Sequence, residues 1–371
     1  MAGVEYHGKI FYAENGINAF CSYDLDTKQV QFIDIFANED LKGELFCDVV
    51  LYKDSIWFIP AMATHIVCVD LKTQSMRYFD IPYYQKSWQE DDYHRVYSET
   101  VMISNRFLYC LPYDIDTLLV IDLETMEFTP IYDVQQCCDK KHSLTGGYKW
   151  KDEFLLFYSN CSNYKSIGIR SNEWINKKYT FSKIGKYYSP VMFDNKICMI
   201  DGISNEIIVF SPGEQEKRIE IPTENNAYYG YMTFGKDILY FPFKADNFLL
   251  FHADIEKVEM IDYEGLKGAE VLFTDTENEM HLIMSDCGKR LITSGVTNCV
   301  LEFDNIENPK IYSLDFDKKA FFKKYIEMCS KKEKLQNKRS IIKEMRSNQD
   351  SLSRFVFEQD FEVWLSYGEM F

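Results

Sequence analysis

No uninterrupted apolar run in this chain approaches the ~18 residues of a membrane-spanning helix. The first residues, Met1-Ala2-Gly3-Val4-Glu5-Tyr6-His7-Gly8, lack the cationic start and apolar stretch of a secretory signal. Neither a membrane span nor export is expected. Positive charge is in deficit, with 41 Lys and Arg against 58 Asp and Glu, a net charge of −17. Phosphate binding needs clustered cations, so nucleic acid is excluded as a partner of the whole surface.

Catalytic signatures are equally scarce. Six histidines include no His-Glu-X-X-His pattern, and no Gly-X-Ser-X-Gly elbow occurs. Gly146-Gly147 and Gly265-Leu266-Lys267-Gly268 lack the downstream Lys-Ser/Thr of a phosphate-cradling loop and read as turns. Cys137-Cys138 with His142 is the one soft-ligand cluster, but adjacent cysteines strain a tetrahedral site and no CxxC pair accompanies them. No metal and no cofactor are expected.

What is present describes a packed globular protein. Hydrophobic residues make up 46% of the 371, and aromatics 16%, far from a disordered composition. Of the eleven cysteines, Cys68, Cys110 and Cys198 sit inside apolar runs, where a reduced thiol packs as a small hydrophobe. That usage points to a reducing cytoplasm.

The strongest signal is a repeat. Short aliphatic and aromatic runs recur, anchored on Ile10, Ile56, Phe107, Phe154, Ile197, Ile238 and Met280, at spacings of 46, 51, 47, 43, 41 and 42. Each is followed by a second run that in the early copies ends in Asp-Leu-X-Thr: Asp24-Leu25-Asp26-Thr27, Asp70-Leu71-Lys72-Thr73 and Asp122-Leu123-Glu124-Thr125. An aspartate there accepts backbone N–H bonds from residues just downstream and closes a hairpin. A third, alternating run follows, and a further apolar strand precedes most anchors, as in Asp48-Val49-Val50-Leu51. Four short strands per unit and seven units predict an all-β, seven-bladed β-propeller, with blades near 3–40, 45–85, 97–134, 143–184, 187–225, 228–265 and 269–316.

On these runs and turns the chain resembles the kelch-like and quinoprotein-like β-propeller superfamily, over about residues 3–316. The resemblance implies architecture only. A Gly-Gly pair occurs once rather than in every blade, and the Gly-His and Trp-Asp pairs of WD repeats are missing. Ring closure has two available segments, Val4-Glu5-Tyr6 beside the last blade and an added strand from Lys289 to Val296.

Past residue 317 the period of two is lost. Residues 318–346 hold eleven Lys/Arg against three Asp/Glu, and Phe321, Tyr325 and Ile326 recur at helical spacing. The expected division is a propeller over 1–317 and a basic helical extension over 318–371, the helix lying against the acidic propeller.

In a propeller, the loops entering each innermost strand and those joining second to third strands open on one face. That mouth is expected to gather Asp48, Glu99 and Glu270 as candidate acid/base carboxylates. Around them stand the candidate ligand contacts His65, Trp88, His94, Arg95, Asp114, Asp116, His142, Tyr188, Tyr229, Lys244 and Arg290. The expected function is a cytoplasmic binding or scaffolding module for a protein or glycan-like ligand. Two alternatives stand beside it: an enzyme using the funnel carboxylates on a sugar or peptide, and a lectin-like module stacking Trp88 and tyrosines on sugar rings.

Overall fold

The computed structural model describes residues 2–14, 17–39, 44–82, 95–113, 115–132, 134, 136–137, 140–141, 144–169, 173–222, 228–242, 247–262, 280–284, 290–294, 299–307, 309–314, 320–321 and 323–324. The strands form seven successive four-stranded antiparallel sheets, each in the order first-second-third-fourth. The protein is an all-β, seven-bladed β-propeller. Blade two shows the pattern: Phe46–Tyr52, Ser55–Pro60, His65–Asp70 and Ser75–Asp80.

Burial follows strand rank. In Ser55–Pro60 every residue after the first is buried, whereas the outermost strand Ser75–Asp80 alternates between exposed and half-buried positions. A middle strand is covered on both faces, so it reads as a continuous apolar run, and an outer strand keeps the period of two. The core is accordingly divided into apolar layers between successive blades. One joins blades one and two through Phe20, Phe36, Phe46 and Phe58, another joins blades five and six through Cys198, Ile200, Tyr228 and Tyr240. The chain divides into two compact units, residues 1–84 with 283–288 and 312–371, and residues 85–282 with 289–311.

The Asp-Leu-X-Thr turns form as their chemistry demands. Asp70 Oδ1 accepts from the N–H of Lys72 and of Thr73, both at 2.9 Å, and Asp24 does the same with Asp26 and Thr27. The residue after each threonine turns left-handed, with φ of 60°, 56° and 61° at Lys28, Gln74 and Met126. These N–H bonds, that of the threonine first, hold the Asp24 and Asp70 carboxyls below the usual range. In Asp122 burial pushes the other way and is outweighed by the N–H groups of Glu124 and Thr125.

A carboxyl lowered on folding contributes stability that is complete above its unfolded pKa and is lost as pH falls through its folded value. The melting temperature is therefore expected to fall as pH drops below about 4. A triple Asp24→Asn, Asp70→Asn, Asp122→Asn variant is expected to show a shallower fall in pH-dependent thermal melts; an identical slope refutes the assignment.

Two expectations need correction. Met280–Met284 is the first strand of blade seven, not the second; Arg290–Ser294 is the second, with Cys299–Phe303 and Pro309–Ser313 completing the sheet. The matching anchor is Leu291, and the segment offered as an added strand is an ordinary blade strand. Likewise Gly3–Tyr6 is the first strand of blade one, paired antiparallel with Lys9–Ala13. At the C-terminal end, Ala320, Phe321, Lys323 and Lys324 are helical. Phe321 is fully buried, edge-on to Phe32 at 5.8 Å, and Lys324 Nζ lies 3.3 Å from Asp34 Oδ1 on the outer strand of blade one. Tyr325 and Ile326 lie outside the described residues.

Candidate functional site

Each innermost strand begins at the end where the second-to-third connections also lie, and in blades two to six it begins irregularly. Its ladder with the second strand shifts between Phe46 and Asp48, Tyr97 and Val101, Leu144 and Gly146, Tyr188 and Val191, and Tyr228 and Tyr231. A β-bulge bends its strand and re-aims side chains. Ser189 at φ 52° and Gly230 at φ 83° carry two of them, tied by the Gly230 N–H donating to Ser189 Oγ at 2.7 Å. Gly147 lies beside the blade-four bulge because its backbone passes blade three closely: a Cβ there falls 3.1 Å from Met102 Cε.

On the second unit this end carries exposed apolar side chains. Tyr113 follows the second strand of blade three, Tyr132 ends its fourth, Ile184 lies near the end of the fourth strand of blade four, and Ile203 turns between the second and third strands of blade five. They are 49%, 48%, 61% and 52% exposed. Arg95 places its guanidinium 5.7 Å from the Tyr113 ring centre, and Lys186 Nζ sits 5.1 Å from that of half-buried Tyr188. Asp116 is half-buried in the blade-three turn.

On the first unit the same end of blade two holds a polar cluster that sequence reasoning found only in part. Glu39, whose side chain is fully buried, accepts from the N–H of Thr64 at 2.7 Å and of His65 at 3.0 Å. The Thr64 hydroxyl, at 3.0 Å, and His65 Nδ1, at 2.8 Å, also face its carboxylate. His65 Nε2 faces Asp80 at 3.6 Å. Tyr78 packs edge-on to the imidazole at 5.8 Å, and its hydroxyl, which accepts from the Ala37 N–H, is pushed up to about 12 by burial. The loop carrying Glu39 is fixed by Asn18, which accepts from the Phe36 N–H and donates to the Phe36 carbonyl. Thr64-His65 was legible as a mouth turn. Glu39 reads in sequence as one more solvated acid of an acidic loop, and nothing local marks it.

The remaining candidates divide by position. Asp48 stands at a bulge, half-buried, its Oδ1 accepting from the Val49 N–H at 2.7 Å. Glu99 and Tyr229 lie in bulged innermost strands, their side chains outside the described residues. Glu270, Trp88, His94, Asp114, His142 and Lys244 also fall outside them. Arg290 is a correction: as the first residue of a second strand it lies at the opposite end of blade seven, its guanidinium 4.6 Å from the Phe234 ring centre. The misplacement follows from the blade-seven strand order above. Among the described residues no three His, Cys, Asp or Glu side chains converge as metal ligands.

No family model and no curated protein matches this sequence. Solved structures do match the fold. A streptogramin B lyase superposes with a TM-score of 0.59 at 10% identity, covering 79% of this chain and 90% of that one. A catalytically inactive histidine-to-alanine variant of virginiamycin B lyase from Staphylococcus aureus, with quinupristin, gives 0.59 at 11% identity over the same shares. The dihydro-heme d1 dehydrogenase NirN gives 0.52 at 11% identity, covering 84% of this chain and 67% of that one. At these identities the likeness is one of fold, and the propeller hosts both catalysis and binding.

Proposed function

We propose that the protein is a binding module that holds a protein or glycan-like ligand at the bulged end of its blades. The observation that carries this reading is the exposure of Tyr113, Tyr132, Ile184 and Ile203, each at that end of its blade, over blades three to five. Exposed tyrosines offer a rigid face to a sugar ring or an apolar side chain, and Arg95 beside Tyr113 and Lys186 beside Tyr188 supply donors. A reducing cytoplasmic setting is part of the proposal, supported by seven described cysteines that are all buried and unbridged.

Photo-cross-linking tests it. A benzophenone side chain at position 132 is expected to capture ligand from the native cell, while one at Ile255, exposed at the opposite end in the blade-six turn, captures none. A Tyr113→Ser, Tyr132→Ser, Ile203→Ser variant is expected to lose glycan-array or peptide-array signal at an unchanged melting temperature. Equal capture at both positions refutes the reading.

A further inference from the structure

We propose that Glu39 and His65 form a proton-transfer dyad in which the imidazole Nε2 activates water for attack on an ester-class acyl group. The inference is independent of the binding reading above, since every group in it belongs to the first unit.

A carboxylate only accepts, so the 2.8 Å contact between Glu39 Oε1 and His65 Nδ1 places a proton on Nδ1. The Thr64 hydroxyl donates to Glu39 Oε2 and thereby turns a lone pair toward the same Nδ1–H, 2.8 Å away. Glu39 itself is held by two backbone N–H groups and is buried, so the tautomer and the ring orientation are set from below. What remains of the imidazole is Nε2, on a side chain 23% exposed. Among the described residues its acceptor neighbour is the fully exposed carboxylate of Asp80 at 3.6 Å, which is free to turn aside. Neutral imidazole with Nδ1 protonated presents a lone pair at Nε2, and a carboxylate opposite a lone pair is unfavourable unless a proton lies between them. Nε2 is therefore the atom at which a proton comes and goes. Tyr78 caps the ring edge without competing for either nitrogen.

The chemistry balances without a cofactor. Nε2 takes a proton from water as the water oxygen bonds to the acyl carbon. The acyl C–O bond then breaks, and the imidazolium proton passes to the departing alkoxide, leaving acid, alcohol and neutral His65. An ester is the fitting class because an alkoxide is expelled more readily than an amide nitrogen. In this arrangement His65 is the catalytic residue and Glu39 a positioning residue.

The probe is 4-nitrophenyl acetate, with nitrophenolate release followed across pH. The full chain is expected to hydrolyse it faster than free histidine at equal concentration, and His65→Gln, which keeps a donor for Glu39, loses about 100-fold. Glu39→Gln is expected to lower kcat at an unchanged KM, because the contact that orients the imidazole at Nδ1 is lost, and Glu39→Asp to recover part of it; a merely structural role lowers the melting temperature and leaves kcat in place. If Glu39→Gln fails to fold, as read by circular dichroism, the His65→Gln comparison stands alone. A wild-type rate equal to that of His65→Gln overturns the proposal, whatever the outcome of the cross-linking.

Discussion

Replacing Arg218 with methionine is expected to lower stability by about 3–5 kcal/mol, because it strands buried carboxylates rather than removing a surface charge. Arg218 lies in the outer strand of blade five with a side chain only 10% exposed. Its Nη1 donates to Asp201 Oδ2 at 3.0 Å and Glu206 Oε2 at 2.8 Å, and its Nε to Glu216 Oε1 at 3.2 Å. Two of these acids reach on to blade four: Glu216 accepts from the N–H and hydroxyl of Ser182, and Glu206 pairs with Lys183. The guanidinium is thus the hub of a polar seam between two blades. Burial raises the Glu206 carboxyl, but Ser204, Lys183 and Arg218 together bring it down to about 2.

The sign of the pH dependence follows. A carboxyl held at about 2 contributes stability present above its unfolded pKa, near 4, and lost as pH falls from there toward 2. In the methionine variant that contribution is absent. The gap between wild type and Arg218→Met in urea midpoints is therefore expected to be widest at neutral pH and to narrow below about 4. A gap independent of pH means that lost packing, not charge, is responsible.

Truncating Phe36 to alanine is expected to cost about 3–5 kcal/mol. The residue lies in no strand, yet it is fully buried, with its ring 4.6 Å from Phe46, 5.0 Å from Phe58 and 6.0 Å from Phe20. Those four rings belong to the layer between blades one and two, so the cavity opens where two blades meet and neither relaxes freely. The loss is expected to reach the polar cluster as well, since the Glu39 N–H donates to the Phe36 carbonyl at 3.0 Å. Phe36→Leu, which fills part of the volume, is expected to recover much of the stability in denaturant melts. Equal losses for both substitutions point instead to the backbone of the loop.

By itself the sequence determined the all-β class, the number of blades and the aspartate turns. These are written locally: side chains of a strand alternate every residue, a covered strand must be apolar, and an Asx turn is closed by atoms two or three residues apart. Blade seven shows where local reading stops. Its first strand, Met280–Met284, is as short and apolar as a second strand, and hydrophobicity alone carries no strand rank. The Glu39–His65 pair spans 26 positions and the Tyr113, Tyr132, Ile184 and Ile203 face spans three blades. Their members are isolated loop and strand-end residues, indistinguishable in sequence from any solvated Glu, Tyr or Ile. Only the stacking of blades, which decides which loop ends are covered and which carboxylate loses its water, made a buried acceptor of Glu39 and left those four side chains exposed.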